Sequence, residues 1–391
     1  MGSYWALFFT RVVVDLNLPA VQLLLLGTVK EVTILLAEIP TGVVADLRSR
    51  RTSVILGFLF AGSGIVLAGL GNSFAVVAFA QVLWSFGSTF RSGAETAWIT
   101  DEVGSTSVVE PLLIRRARYG LLGVVVGVAG SAAVAAAWSL TAALVLVGTV
   151  VILRGLSLIV IMPETGFTPL AGPGSPLQRF ANLLKVGGAA TRRIRPLRRL
   201  FIVVALAGFG SEAVDRLYVA RFDQLPETSV AVDATLVGGI TIAQVLLGAA
   251  ALLVLGNRLR GERLVPWLAV LHLGTAIGAL VLSKGNVLAL GVAGVIATGM
   301  LRAVARPLVE AWTNTFAETQ HRATIHSFLG QAQSLGEISG GIGLGIVATI
   351  FDISTALLVS CGVYVVAATL TALARRLWSE HPPSDGQATL A

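Results

Sequence analysis

Apolar runs of membrane-spanning length, separated by short polar or charged turns, recur along nearly the whole chain. Each can cross a hydrocarbon core of about 30 Å as a helix. The first set of runs covers 18–45, 52–70, 74–99, 119–137 and 140–162; the second covers 200–220, 234–255, 264–282, 287–312, 325–350 and 355–374. Ahead of them lies a shorter apolar piece, Tyr4 to Phe9, followed by a polar turn from Arg11 to Asn17. About ten apolar residues cannot span a bilayer. The first helix is therefore expected to be incomplete, with Met1 inside it. The pattern predicts an all-α polytopic membrane protein of about twelve transmembrane helices.

The two sets echo each other. Arg91-Ser-Gly-Ala-Glu95-Thr-Ala-Trp98 returns as Arg306-Pro-Leu-Val-Glu310-Ala-Trp312, and the turn after Asp46 returns near Asn257, at offsets of 211 to 215 residues. Such offsets predict a parallel repeat of two six-helix bundles. They also place the expected start of the first helix about a dozen residues upstream of Met1. The predicted organisation is a bundle over 1–162, a linker over 163–199, a bundle over 200–378 and a tail over 379–391. The linker opens Pro/Gly-rich and turns basic. Leu177, Phe180, Ala181 and Leu184 fall on one helical face, which fits either an amphipathic helix on an anionic leaflet or a solvated basic connection.

Composition agrees with the pattern. The chain is 55% hydrophobic and 13% charged, with mean hydropathy +0.84, whereas soluble domains carry about 25% charged residues. The net charge of +7 would suggest nucleic acid in a soluble protein. Here most of the Lys and Arg sit in alternate loops and the tail, in groups starting at Arg48, Arg115, Arg179, Arg258, Arg322 and Arg375. The intervening loops carry only Arg11, Arg221 and Lys284. That asymmetry is the positive-inside pattern, with both termini of the full-length protein cytoplasmic. The lipid bilayer, not nucleic acid, accounts for the charge. The single cysteine, Cys361, excludes an internal disulfide, and the four scattered histidines argue against a metal site. No cofactor is expected. Only three lysines stand against many arginines, which points to a GC-rich, bacterial genome.

The turn between the first two full spans concentrates charge: Asp46 is followed by Arg48, Arg50 and Arg51. Gly42-Val-Val-Ala-Asp46-Leu47-Arg48-Ser49-Arg50-Arg51 resembles the loop between the second and third helices of the major facilitator superfamily. That family's pattern is Gly-x-x-x-Asp-Arg/Lys-x-Gly-Arg/Lys-Arg/Lys; Leu47 and Ser49 depart from it. The resemblance implies the major facilitator fold, with helices one, four, seven and ten around a central cavity and a cytoplasmic gate at Gly42, Asp46, Arg48, Arg50 and Arg51. Gly42 is expected to let a neighbouring helix approach closely. Asp46 is expected to meet arginines or a helix N-terminus.

Ionisable side chains within spans are expensive and mark cavities or partners. The candidates for proton or substrate handling are Glu31, Arg91, Glu95, Glu212, Asp215, Arg302, Arg306 and Glu310. Arg91–Glu95 and Arg306–Glu310 are i, i+4 pairs, able to neutralise themselves or to act as paired switches. Glu31 lies near mid-membrane, and Lys30 should point to a different helix face, leaving Glu31 able to carry a proton or to pair elsewhere. Arg154 can snorkel to the interface. Against drug–proton antiport, Gln81 stands where that branch carries arginine. Gly123-Val-Val-Val-Gly127-Val-Ala-Gly130 also lacks the branch's proline and last glycine. The sequence reads as a monomeric, proton-coupled exporter (efflux antiporter) of a small amphiphilic compound in the bacterial cytoplasmic membrane, not an enzyme. An importer of a polar metabolite and a non-transporting receptor or scaffold are the rivals.

Overall fold

In a computed structural model of the chain, the described residues are 2–104, 106–168, 178, 185, 188, 194–225, 232–259, 261–316 and 322–380. Among them the structure is helical, with no strand. α1 (Gly2–Thr10) continues into a π-turn (Arg11–Asp15), followed by α2 (Ala20–Leu47), α3 (Arg50–Leu70) and α4 (Phe74–Ser92). Then come α5 (Ala94–Val103), α6 (Thr106–Ala137) and α7 (Leu140–Ile161). Beyond the linker lie α8 (Arg195–Asp223), α9 (Ala234–Leu255), α10 (Leu264–Lys284), α11 (Leu288–Phe316), α12 (Arg322–Ile350) and α13 (Ile353–Glu380). The expected amphipathic helix at 177–184, most of the linker, and the tail from 381 fall outside the described residues.

Helix starts follow local chemistry. Ser49, Ser73 and Ser139 each accept a hydrogen bond from the N–H three residues on, satisfying donors that a helix start leaves open. Asp233 and Asp352 do the same for α9 and α13. Pro196 occupies the first turn of α8, where a missing N–H costs nothing. Two expectations are corrected here. The span over 74–99 is divided at Gly93 into α4 and α5. Arg115, Arg116 and Arg118 are not in a loop: they ride on α6, whose polar first turns form helix well before the apolar run.

Eight of the described helices are long and apolar enough to cross a bilayer. Many large apolar side chains face outward, including Leu253 at 86%, Val160 at 85% and Trp138 at 76% exposure. So much apolar surface would be unstable in water and is suited to lipid. The chain is a multi-pass membrane protein.

Contacts divide it into two units, and not at a single cut. The first contains 1–18, 29–179 and 232–242; the second contains 19–28, 180–231 and 243–391. Inside each, the same geometry recurs. In the first unit a Cβ on Gly64 would stand 2.7 Å from the Ala80 carbonyl oxygen; in the second, a Cβ on Gly278 would stand 3.0 Å from that of Gly294. Only glycine lets these helix pairs approach so closely. α3 ends at Gly71 and α10 at Gly285, each with an extended C-cap. An arginine then seals each end, Arg11 buried and Arg221 half-buried. Arg11 donates to the Gly71 carbonyl at 3.2 Å, and also to Thr141, Asn72 and Asp15. Arg221 donates to the Gly285 carbonyl at 2.9 Å and to that of Ser283. Arg11 and Arg221 are thus not loop charges but matching clamps.

Candidate functional site

The second unit buries its charges around α8. Glu212 and Arg216, one turn apart, form an ion pair at 3.2 Å with 1% and 6% of their side chains exposed. Gly27 of α2 lies against that pair; a Cβ there would overlap both side chains. Asp215 faces α11, where Arg302 grips it with two parallel hydrogen bonds of 2.6 and 2.7 Å. Such bidentate pairs are the strong ones. On α12, Gln333 donates to Glu337 at 2.8 Å, and Glu337 lies within electrostatic reach of both Arg216 and Arg302.

What carries Glu337 there is glycine packing. Gly336 lies against the Ala205 carbonyl of α8, and Gly340 against that of Phe209, so closely that a Cβ would overlap either backbone. Tyr364 of α13 donates to the Ala207 carbonyl at 3.2 Å, and the buried His272 of α10 lies 6.3 Å from its ring. Of this cluster, Glu212, Asp215 and Arg302 stand out in the sequence as candidates. Arg216 and Glu337 do so only as charges in spans.

The first unit holds a different group. Glu31 is 4% exposed and pairs with Lys30, which corrects the expectation that adjacent helix positions keep the two apart. The flexible lysine stem bends round the helix, and its ammonium sits 5.5 Å over the Trp5 ring. Trp5 stacks in a knot with Tyr4 and Trp84, and Gln81 donates to the Tyr4 hydroxyl at 2.7 Å.

Arg91 and Glu95 close at 2.9 Å across the Gly93 break. Arg116 of α6 joins Glu95 as well. The Arg91 and Arg154 guanidiniums lie over the Phe58 ring at 4.4 and 4.6 Å. Their repeat counterpart differs: Arg306–Glu310 spans 3.5 Å with 84% and 55% of the side chains exposed.

At the arginine turn, Arg50 pairs with Asp101 of α5 at 2.8 Å. Glu164 accepts from the Ser49 hydroxyl at 2.7 Å and from the Arg51 N–H at 2.9 Å, a carboxylate at the positive start of α3. The Arg51 guanidinium donates to the Ile159 carbonyl. Glu102 accepts from the Thr165 and Gly166 N–H groups at 2.6 and 2.8 Å. These hydrogen bonds, led by that of Gly166, hold the Glu102 carboxyl below its ordinary value. Arg48 is exposed and Asp46 half-buried. Two expectations differ from what is found. A Cβ on Gly42 meets no described atom within 4 Å, so no helix is seen packed on it. The acids seen to hold the arginine turn are Asp101 and Glu164, not Asp46.

Solved structures place this arrangement. A crystal structure of the nucleoside transporter NupG superposes with a TM-score of 0.72, at 14% identity over 95% of this chain and 96% of that one. The chain has the major facilitator fold. A POT family transporter, solved with a thioalcohol-conjugated peptide, shares this fold with a TM-score of 0.77 at 11% identity, over 96% of this chain and 93% of that one. A bacterial homolog of the human lysosomal transporter Spinster gives 0.71 at 15%, covering 98% and 96%. In sequence, the chain is 23% identical over 345 residues to the uncharacterized MFS-type transporter YxaM of Bacillus subtilis (strain 168), covering 85% of this chain and 82% of that protein. No known family profile matches the chain.

Proposed function

We propose that this protein is a secondary active transporter working by alternating access, exporting a small amphiphilic compound across a bacterial cytoplasmic membrane in exchange for protons. One observation carries the reading: opposite charges pair within the spans, Glu212–Arg216 buried and Asp215–Arg302 partly buried, in a fold whose solved examples bear the names of nucleoside and peptide transporters. Intramembrane charge that only fixed a scaffold could be replaced by apolar packing at no loss. Charge that binds in one state and releases in another is what coupling requires. The two bundles, 1–162 and 200–378, are the moving parts in this reading. The arginine turn, with Gly42, Asp46, Arg48, Arg50 and Arg51, forms the cytoplasmic gate.

The test is reconstitution in proteoliposomes with an imposed pH gradient, screened against amphiphilic cations, amphiphilic anions, nucleosides and short peptides. Proton movement that appears only with one compound class, together with gradient-driven accumulation of that compound in inside-acid inside-out vesicles, is the expected result. Accumulation driven in the opposite direction would make the protein an importer. No flux with any compound would favour a receptor or scaffold.

A further inference from the structure

Hydroxyls buried in these helices mostly close on their own backbone. Thr89 donates to the Phe86 carbonyl, Ser131 to that of Val128 and Thr275 to that of Leu271. Three polar atoms at the middle of α4 close on nothing. The Gln81 side-chain carbonyl, the Trp84 indole N–H and the Ser85 hydroxyl have no hydrogen-bond partner among the described residues. Yet the three residues are only 1%, 6% and 0% exposed. Turning the Gln81 amide over would only exchange which end is open, since the other end is taken by Tyr4. Leaving such groups open inside a membrane is costly.

The three residues also fall together. Positions 81, 84 and 85 share one face of the helix. Gln81 and Trp84 both meet Tyr4 of α1, through the 2.7 Å hydrogen bond and through stacked rings 5.5 Å apart. Trp5 stands edge-on to Trp84 at 4.8 Å. Gly64 and Gly87 lock the other side of α4 against its neighbour α3, so the helix cannot turn to bring the open atoms to partners elsewhere.

We propose that this face of α4, with Tyr4 and Trp5, binds an uncharged aromatic compound carrying a hydrogen-bond donor next to an acceptor, a carboxamide being the simplest. The amide carbonyl accepts from Trp84, the amide N–H donates to Gln81, Ser85 serves either, and the ring stacks on the aromatic walls. None of the three open side chains is ionisable, so they offer no counter-charge to a carboxylate or an ammonium. The Trp5 ring already carries the Lys30 ammonium at 5.5 Å, which keeps a ligand cation off it. At this degree of burial the site is shut, and a ligand enters once the α1–α4 contact opens. A site shut in one state and open in another fits alternating access. This inference rests on the transporter reading and names its substrate class.

The experiment is equilibrium binding of radiolabelled 2-naphthamide to the full-length protein in lipid nanodiscs, with 2-naphthoate and 2-naphthylmethylammonium as matched charged competitors. Saturable binding of the amide, displaced poorly by either ion, is the expected result. Ser85→Ala and Trp84→Phe, which remove a hydrogen-bonding atom and keep the packing, should each weaken binding about tenfold. Neither should lower the thermal unfolding temperature of the ligand-free protein, because the atoms removed bond to nothing there. Absence of saturable amide binding, equal or tighter binding of either ion, or unchanged affinity in both variants overturns the proposal. So does a loss of ligand-free stability in both variants, which would make the atoms structural. Proteoliposome flux separates this reading from the transporter itself. Amide binding without flux of any compound leaves the site standing and removes the transporter, whereas flux that is unaltered in both variants leaves the transporter and removes the site.

Discussion

Arg302 and Asp215 lie on different helices and meet through two parallel hydrogen bonds of 2.6 and 2.7 Å, fastening α11 to α8. Their side chains are about a third exposed, so the pair is worth less than a fully buried one. Asp215→Asn is expected to lower stability by about 2 kcal/mol, read as a shift in thermal unfolding of the purified protein. The exchange Asp215→Arg with Arg302→Asp should recover most of that loss. If the double variant is as unstable as either single one, the pair is not what fastens the helices.

Packing of α12 on α8 depends on the absence of side chains. Gly336→Ala puts a methyl group into the Ala205 carbonyl, and overpacking of this kind costs about 1–3 kcal/mol. The same change at Gly42, where no described atom lies within 4 Å, should leave unfolding unchanged. Measuring both variants side by side separates a packing glycine from one that is merely present in a motif.

Lys30 and Glu31 form a nearly closed-off pair, 15% and 5% exposed. Breaking a buried pair by removing one member should cost about 3–5 kcal/mol, whereas removing both is far milder. Lys30→Met and Glu31→Gln are each expected to reduce yield of folded protein, and the double variant to restore it. Gradient-driven transport should then survive in the double variant, which would not hold if Glu31 carried the proton.

At the arginine turn, Asp101→Asn should free Arg50 and loosen α5, seen as faster amide exchange over 94–103. Asp46→Asn should leave that exchange unaltered. If the motif latches the gate, Asp46→Asn should instead shift spin-label distances across the cytoplasmic mouth.

Glu102 gives a pH dependence outside the membrane. Its carboxyl is held below the ordinary value of 4.5 by hydrogen bonds from Gly166 and Thr165, so the ionised form is the one that grips the linker. A lowered value stabilises above the unfolded value and loses that contribution as pH falls through the folded one. Protection of the Thr165 and Gly166 amides should therefore hold at neutral pH and fade below about pH 4.5. Glu102→Gln should weaken it at all pH values. Protection that does not respond to acid would remove Glu102 as the anchor.

The sequence alone determined the all-α class and eight of the apolar spans, because the cost of burying polar groups in lipid is a local property readable from each run of residues. It also placed Glu212, Asp215 and Arg302 among the candidates, since charge inside a span stands out without knowledge of its neighbours. Which charges meet was settled only by packing. Arg50 found Asp101 rather than Asp46 through the α3–α5 contact, and Glu337 reached α8 because Gly336 and Gly340 allow the backbones to touch. Lys30 turned to Glu31 because a flexible stem overrides the angular separation of adjacent helix positions. The Arg11 and Arg221 clamps looked like loop charges because their acceptors are backbone carbonyls some sixty residues away, and no side-chain pattern records a carbonyl. Helix formation is decided by neighbours in the chain, but the partners of a buried charge are decided by neighbours in space.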